Sequence, residues 1–119
     1  MASILIVDDE PEATATLAKF LETRGYKTET AANGSEALEL VRAMQYDVVM
    51  MDLRMPGMDG ADFLACVRLD QPQLPIVVMT GHTNLGGQDE VWARAGVKAV
   101  MLKPLNLREV SEMVYELLA

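Results

Sequence analysis

Asp8, Asp9, Asp52, Thr80 and Lys103 are the residues of this chain best suited by type and position to do chemistry. Each follows a short apolar run: Ile4–Val7 leads into Asp8-Asp9, Val48–Met51 into Asp52, Ile76–Met79 into Thr80, and Ala99–Leu102 into Lys103. Three carboxylates gathered in one place raise one another's pKa unless positive charge sits among them. A divalent cation resolves that conflict, and an all-oxygen donor set selects a hard ion, magnesium, with manganese as the alternative. Magnesium keeps several waters and recruits a phosphate oxygen, while a lysine ammonium nearby can hold the same phosphoryl group. The set points to phosphoryl chemistry. Asp52 is the most central of the acids and is followed by "LRMPGMDG", a Pro/Gly-rich loop whose amides can point inward, which makes it the candidate nucleophile. A carboxylate attacking phosphorus gives a mixed anhydride and needs little beyond in-line positioning and charge neutralisation. Thr80 could then bond a phosphoryl oxygen in the modified state alone, which is how a switch begins.

These residues can meet only if the runs before them are neighbouring strands. A fifth, weaker run, Lys27–Thr30, alternates polar and apolar residues and ends in Thr30-Ala31, which brings no chemistry. Between the runs lie segments of helical spacing: Ala13/Leu17/Phe20/Leu21, Ala37/Leu38/Val41, Phe63/Leu64/Val67, Val91/Trp92/Ala95 and Val110/Met113/Val114/Leu117. Pro11 suits a first helical turn, and Asn33-Gly34-Ser35-Glu36 combines a turn with a cap. Gly25, Gly60 and Gly96 mark chain reversals. Strand runs of unbroken Val, Ile, Leu and Met predict burial on both faces, hence a parallel sheet with helices on either side. Right-handed crossovers then favour an α/β fold, a doubly wound five-stranded parallel sheet in the order 2-1-3-4-5, the flavodoxin-like (βα)5 arrangement. In such sheets ligands bind beyond the carboxyl ends of the strands, where the strand order reverses.

The 119 residues fit one domain, 1–119, with half of the side chains hydrophobic. Ten basic and eighteen acidic residues give a net charge of −8, which disfavours direct nucleic-acid binding and anionic lipid surfaces. Cys66 is the sole cysteine and is expected to be a buried, reduced thiol among Phe63, Leu64 and Val67. No leader pattern opens the chain and no apolar run nears the roughly 20 residues of a membrane helix, so the expectation is a soluble, cytoplasmic protein without membrane association.

Taken singly, the residues have ordinary explanations. Asp9 or Glu10 before Pro11 can cap a helix, Asp52 can end a strand, Thr80 can be a β-branched strand residue, and Lys103 a solvated charge. Asp59-Gly60 reads as a turn and cap, Asp47 as the opening of the third strand, and the methionines around Asp52 as core fillers. His82 is the only histidine, so no histidine metal cluster exists. The joint placement of the polar residues at four strand ends is what favours a site.

Together, "ILIVDDE", "VVMMDLRMPGMDG", "IVVMTGH" and "VMLKPL" resemble the receiver domain of two-component response regulators, over Ser3 to about Leu118. The resemblance implies that Asp52 accepts a phosphoryl group from a sensor histidine kinase, a histidine phosphotransfer protein or acetyl phosphate. Asp9, Asp52 and the backbone carbonyl of Arg54 would bind magnesium directly, with Asp8 reaching it through water or a hydrogen bond. It further implies that Lys103 contacts the phosphoryl group, that Thr80 swings toward it and that the Lys103-Pro104 bond is cis. Arg54, Gly81 and His82, beside the acceptor and the hydroxyl residue, would modulate the lifetime of the modified state. The output surface would be the fourth helix, fifth strand and fifth helix, presented to an effector protein or a fused output domain by a monomer or a phosphorylation-dependent dimer. With no effector segment after Ala119, the chain is expected to be a stand-alone receiver or the input module of a longer regulator.

The match departs from the family at Val100, where receivers usually carry Tyr or Phe three residues before the lysine. Gly86-Gly87 is expected to compensate by loosening the start of the fourth helix. Alternatives to a phosphorylated switch are a pseudo-receiver that binds partners unmodified, an aspartyl-phosphate phosphohydrolase and a flavodoxin-like cofactor carrier. "DDEPEA" lacks the Asp-x-Asp-x-Thr/Val phrase of the second, and the first strand leads into acids where a flavin phosphate needs a Gly/Ser/Thr-rich cradle.

Overall fold

Unbroken apolar strands are stable only in a sheet covered on both sides, and that is how the chain folds. The structure is a computed structural model and describes residues 1–52, 60–81 and 96–119. In order come β1 (Ser3–Val7), α1 (Pro11–Thr23), β2 (Lys27–Ala31), α2 (Gly34–Ala43), β3 (Val48–Asp52), α3 (Gly60–Asp70), β4 (Ile76–Thr80), β5 (Val97–Leu102) and a C-terminal helix, Leu107–Leu118. The strands form one five-stranded sheet in the expected order, β2-β1-β3-β4-β5, and every described pairing is parallel. The helix expected around Val91, Trp92 and Ala95, together with Gly86-Gly87, lies outside the described residues, as do Arg54, Met55, Met58, Asp59 and His82.

Strand periodicity divides the interior in two. Leu5, Val7, Val49, Met51, Ile76 and Val78 pack with Ala37, Leu38 and Val41 of α2 and Phe63, Leu64 and Val67 of α3. The alternate residues Ile4, Ile6, Val48, Met50, Val77 and Met79 pack with Leu17, Ala18 and Leu21 of α1 and Val110 and Val114 of the C-terminal helix. The C-terminal carboxylates inherit this phase. Asp52 continues the Val48/Met50 series and Asp8 the Ile4/Ile6 series, so both belong to the side covered by α1 and the C-terminal helix.

The helix starts follow from local chemistry. Pro11 occupies the first turn of α1, where its missing N–H costs nothing. The side-chain oxygen of Asn33 accepts the N–H of Glu36 at 2.8 Å, and Asn106 repeats the device with Glu109 at 3.2 Å. Gly25 and Gly96, at φ of 93° and 79°, turn the chain into the two edge strands.

Several expectations are corrected. β1, β2, β3 and β4 each run one residue past the apolar stretch, at its start in β1, because the ladder continues through Ser3, Ala31, Asp52 and Thr80, and β5 begins two residues earlier. Gly60 opens α3 rather than reversing the chain. The inward face of α1 is Thr14, Leu17, Ala18 and Leu21, with Ala13 exposed. A threonine can be buried there because its hydroxyl donates to Glu10 O at 2.8 Å. The run Ala99–Leu102 is not buried on both faces: as an edge strand β5 alternates, leaving Val100 and Leu102 exposed. Cys66 is a free thiol but only half-buried, at the margin of the α2/α3 core.

Candidate functional site

The site is assembled by sheet register. Val7 pairs with Met51, so the next residues, Asp8 and Asp52, emerge side by side at the point where the chain order reverses between β1 and β3. Asp52 pairs with Met79 and Thr80 with Leu102, which puts Thr80 and then Lys103 one step further along the same edge. The N–H of Lys103 donates to Thr80 O at 2.7 Å and carries the ladder past the end of β5. Residues far apart in sequence thus reach one rim without any loop having to position them.

Carboxylate oxygens of Asp8, Asp9, Glu10 and Asp52 lie within 4.8 Å of one another. The Lys103 ammonium donates to Asp52 Oδ2 at 2.7 Å and to Asp8 Oδ2 at 2.8 Å, with Glu10 Oε1 at 3.8 Å. The side chains of Asp8 and Asp52 are 4% and 11% exposed, so both pairs are shielded from bulk water. Burial works against the ammonium, but its hydrogen bonds to Asp52 and Asp8, and their charges, outweigh that penalty and hold its pKa above the ordinary lysine value. Both oxygens of Asp8 are engaged: Oδ2 accepts from Lys103, and Oδ1 accepts the N–H of Glu10 at 3.1 Å. Thr80 is buried at 2% exposure on the phase of Ile76 and Val78, facing the α2/α3 side of the sheet from β4.

Among the described residues, four carboxylates against one ammonium leave a formal surplus of three negative charges at a rim of hard oxygen donors. That donor set fits a divalent ion of the magnesium kind. Of the residues expected from sequence, Asp8, Asp9, Asp52 and Lys103 are brought together and Thr80 stands one strand away. The Lys103-Pro104 bond is cis. Gly81 is exposed, with nothing within 4 Å of where a Cβ would lie, and Val100 sits on the exposed face of β5. Neither Asp9 nor Glu10 caps α1; Glu10 occupies the N-cap position without a side-chain bond to the helix. The sequence places Glu10 directly after Asp8-Asp9 as a third crowded acid, and the structure adds it to the cluster.

Comparison with known proteins agrees with this geometry. Residues 4–115 match the family model described as the response regulator receiver domain. The chain is 33% identical to the transcriptional regulatory protein ZraR of Klebsiella oxytoca over 98% of its length but 26% of that protein's. It is 36% identical to the regulatory protein AtoC of Escherichia coli over 93% of its length and 24% of the relative's. The chain therefore spans about a quarter of these curated relatives. Among solved structures it resembles the response regulator protein TrrA of Thermotoga maritima in complex with Mg(2+)-BeF, at a TM-score of 0.87 and 32% identity, covering 98% of this chain and 99% of that one. The chemotaxis protein CheY4 of Vibrio cholerae gives a TM-score of 0.91 at 29% identity, with 98% of each chain covered.

The chain belongs to the receiver domain family of two-component response regulators. These are signalling proteins rather than conventional enzymes, and the curated relatives that match are longer regulatory proteins. Among the described residues no helix is long and apolar enough to cross a membrane.

Proposed function

We propose that this domain is a phosphorylation-controlled switch in which Asp52 receives a phosphoryl group from a histidine kinase, a histidine phosphotransfer protein or a small donor such as acetyl phosphate. The observation that carries the reading is the arrangement around Asp52: a buried carboxylate at a strand end, within 4.8 Å of three other acids and bonded to Lys103 at 2.7 Å. A bound magnesium ion would supply neutralisation of charge on the phosphoryl oxygens. Asp9 and Asp52, with the Arg54 carbonyl, are the ligands we assign, and Asp8 takes the indirect role because both of its oxygens are already engaged. That TrrA was solved with Mg(2+)-BeF supports a related chemistry here.

In the transfer, an Asp52 oxygen attacks phosphorus in line while the bond to the donor's nitrogen or oxygen breaks. Lys103 holds an equatorial oxygen of the transferred group, and Thr80 bonds another only once the group is in place. Arg54, Gly81 and His82, which follow the acceptor and the hydroxyl residue in sequence, are the residues we assign to setting its lifetime. The modified face acts on an effector protein or a fused output domain, in the cytoplasm, as a monomer or a phosphorylation-dependent dimer.

Incubation with acetyl phosphate and magnesium, followed by mass mapping, tests the reading. One acid-stable, alkali-labile adduct on Asp52, lost in Asp52→Asn and on chelation, is the expected result. A protein that binds its partners without ever forming the adduct would be a pseudo-receiver, and the proposal would fail.

A further inference from the structure

Glu10 occupies a helix N-cap yet does not cap, and its place in the site has a different logic. Its backbone is anchored on both sides: the N–H donates to Asp8 Oδ1 at 3.1 Å, and the carbonyl accepts the Thr14 hydroxyl at 2.8 Å and the Thr14 N–H at 3.0 Å. Its side chain remains 66% exposed, with Oε1 at 3.8 Å from the Lys103 ammonium. The main chain is thus fixed while the carboxylate is free to move toward that ammonium.

Lys103 is held by Asp52 and Asp8. In the reading above, a divalent ion and then the phosphoryl group compete with Lys103 for the oxygens of Asp52, which weakens that bond. Removing one of two carboxylates from a shielded ammonium is costly unless another takes its place. Glu10 is the next carboxylate recorded within ion-pair range of Lys103 among the described residues, and a lysine on a flexible stem with rotatable donors can close a gap of this size.

We propose that Glu10 is a positioning residue that takes the place of Asp52 as the second carboxylate partner of Lys103 when Asp52 engages a divalent ion. The proposal rests on the assignment of Asp52 and Asp9 as ion ligands. Glu10 thereby lowers the cost of releasing Asp52 and keeps Lys103 at the rim, beside the place where a phosphoryl oxygen would arrive.

Calorimetric titration with magnesium chloride, without any phosphodonor, tests the idea in the wild type, Glu10→Gln, Lys103→Met and the double variant. Glu10→Gln should weaken magnesium binding about three- to tenfold where Lys103 is present and leave it nearly unchanged in the Lys103→Met background, the signature of a coupled pair. Equal losses in both backgrounds would mean that Glu10 acts on the ion itself, and would overturn the proposal alone. Absence of magnesium binding by the wild type would overturn the ligand assignment as well. Should Lys103→Met fail to fold, lysine acylation read by mass spectrometry decides instead. At saturating magnesium Lys103 should react several-fold faster in Glu10→Gln than in the wild type, with little difference when magnesium is withheld; equal rates at saturating magnesium would overturn the proposal. Glu10→Asp should restore most of the protection.

Discussion

The two ends of the sheet treat carboxylates in opposite ways. At the amino end, acids are matched one to one: Asp47 accepts the N–H of Ser3 at 2.7 Å through Oδ2 and returns its own N–H to Ser3 O at 2.8 Å, closing the start of β1 against β3. Nearby, Tyr46, just before β3, donates its buried hydroxyl to Glu29 of β2 at 3.1 Å. At the carboxyl end, Asp8, Asp9, Glu10 and Asp52 crowd together, and among the described residues Lys103 is the one ammonium within ion-pair range, reaching Asp8, Asp52 and Glu10. Matched acids at one end support the fold, while the surplus at the other fits a site that could hold a metal ion. The contrast separates structure from function more cleanly than burial, since buried polar groups occur at both ends.

The largest test of this contrast is removal of the Lys103 ammonium. Lys103→Met leaves two shielded carboxylates without their partner and should destabilise the protein by about 3–5 kcal/mol in the absence of divalent ions, the usual consequence of breaking a buried pair from one side. Urea unfolding gives the number, and added magnesium should recover part of the loss. A loss under about 1 kcal/mol would show the rim to be solvated, in which case the contrast dissolves.

Most of this architecture was legible in the sequence because it depends on short-range patterns. The runs Val48–Met51 and Ile76–Met79 are apolar at every position, which only a doubly covered central strand requires, and the observed strands are buried throughout. Asp8, Asp52, Thr80 and Lys103 were legible because each ends a strand or directly follows one, and parallel strands deliver their ends to one rim whatever the loops do. The cap at Asn33 was legible for the same local reason. The approach of Glu10 to Lys103 was not, since that partner lies at the far end of the chain, while the neighbours of Glu10 suggest only a crowded acid or a cap. The phase of α1 was missed because Thr14 looks polar until its hydroxyl finds Glu10 O. Nor does the run Ala99–Leu102 reveal that it lies at an edge, because edge position is a property of the sheet.

A second test concerns the matched end. Burial, then the hydrogen bond to Glu29 and the charge of that residue, push the Tyr46 phenol from 10.0 up to about 12. The folded state therefore holds this proton more tightly than the unfolded chain, so the contribution is complete below pH 10.0 and is lost as pH rises through about 12. Tyrosinate absorbance should show one late-titrating phenol that is absent from Tyr46→Phe. The wild type should also lose more stability across that alkaline window than the variant, by about 1–2 kcal/mol. Parallel loss in the two proteins would mean that Tyr46 is not held as described.

The smallest effect is the most direct, because the two ends predict opposite signs for the same kind of change. Asp47→Ala removes an acceptor that is matched, so it should destabilise the metal-free protein by about 1 kcal/mol. Asp52→Asn removes one member of a crowd while Lys103 keeps Asp8 and has Glu10 within reach, so relief of like-charge repulsion should stabilise the metal-free protein by about 1 kcal/mol. Added magnesium should reverse the second sign, since the wild type then gains binding energy that the variant has forfeited. Thermal unfolding with and without the ion resolves both. If Asp52→Asn destabilises the metal-free protein as Asp47→Ala does, the pair between Asp52 and Lys103 serves the fold, and the surplus at the rim is not held in reserve for an ion.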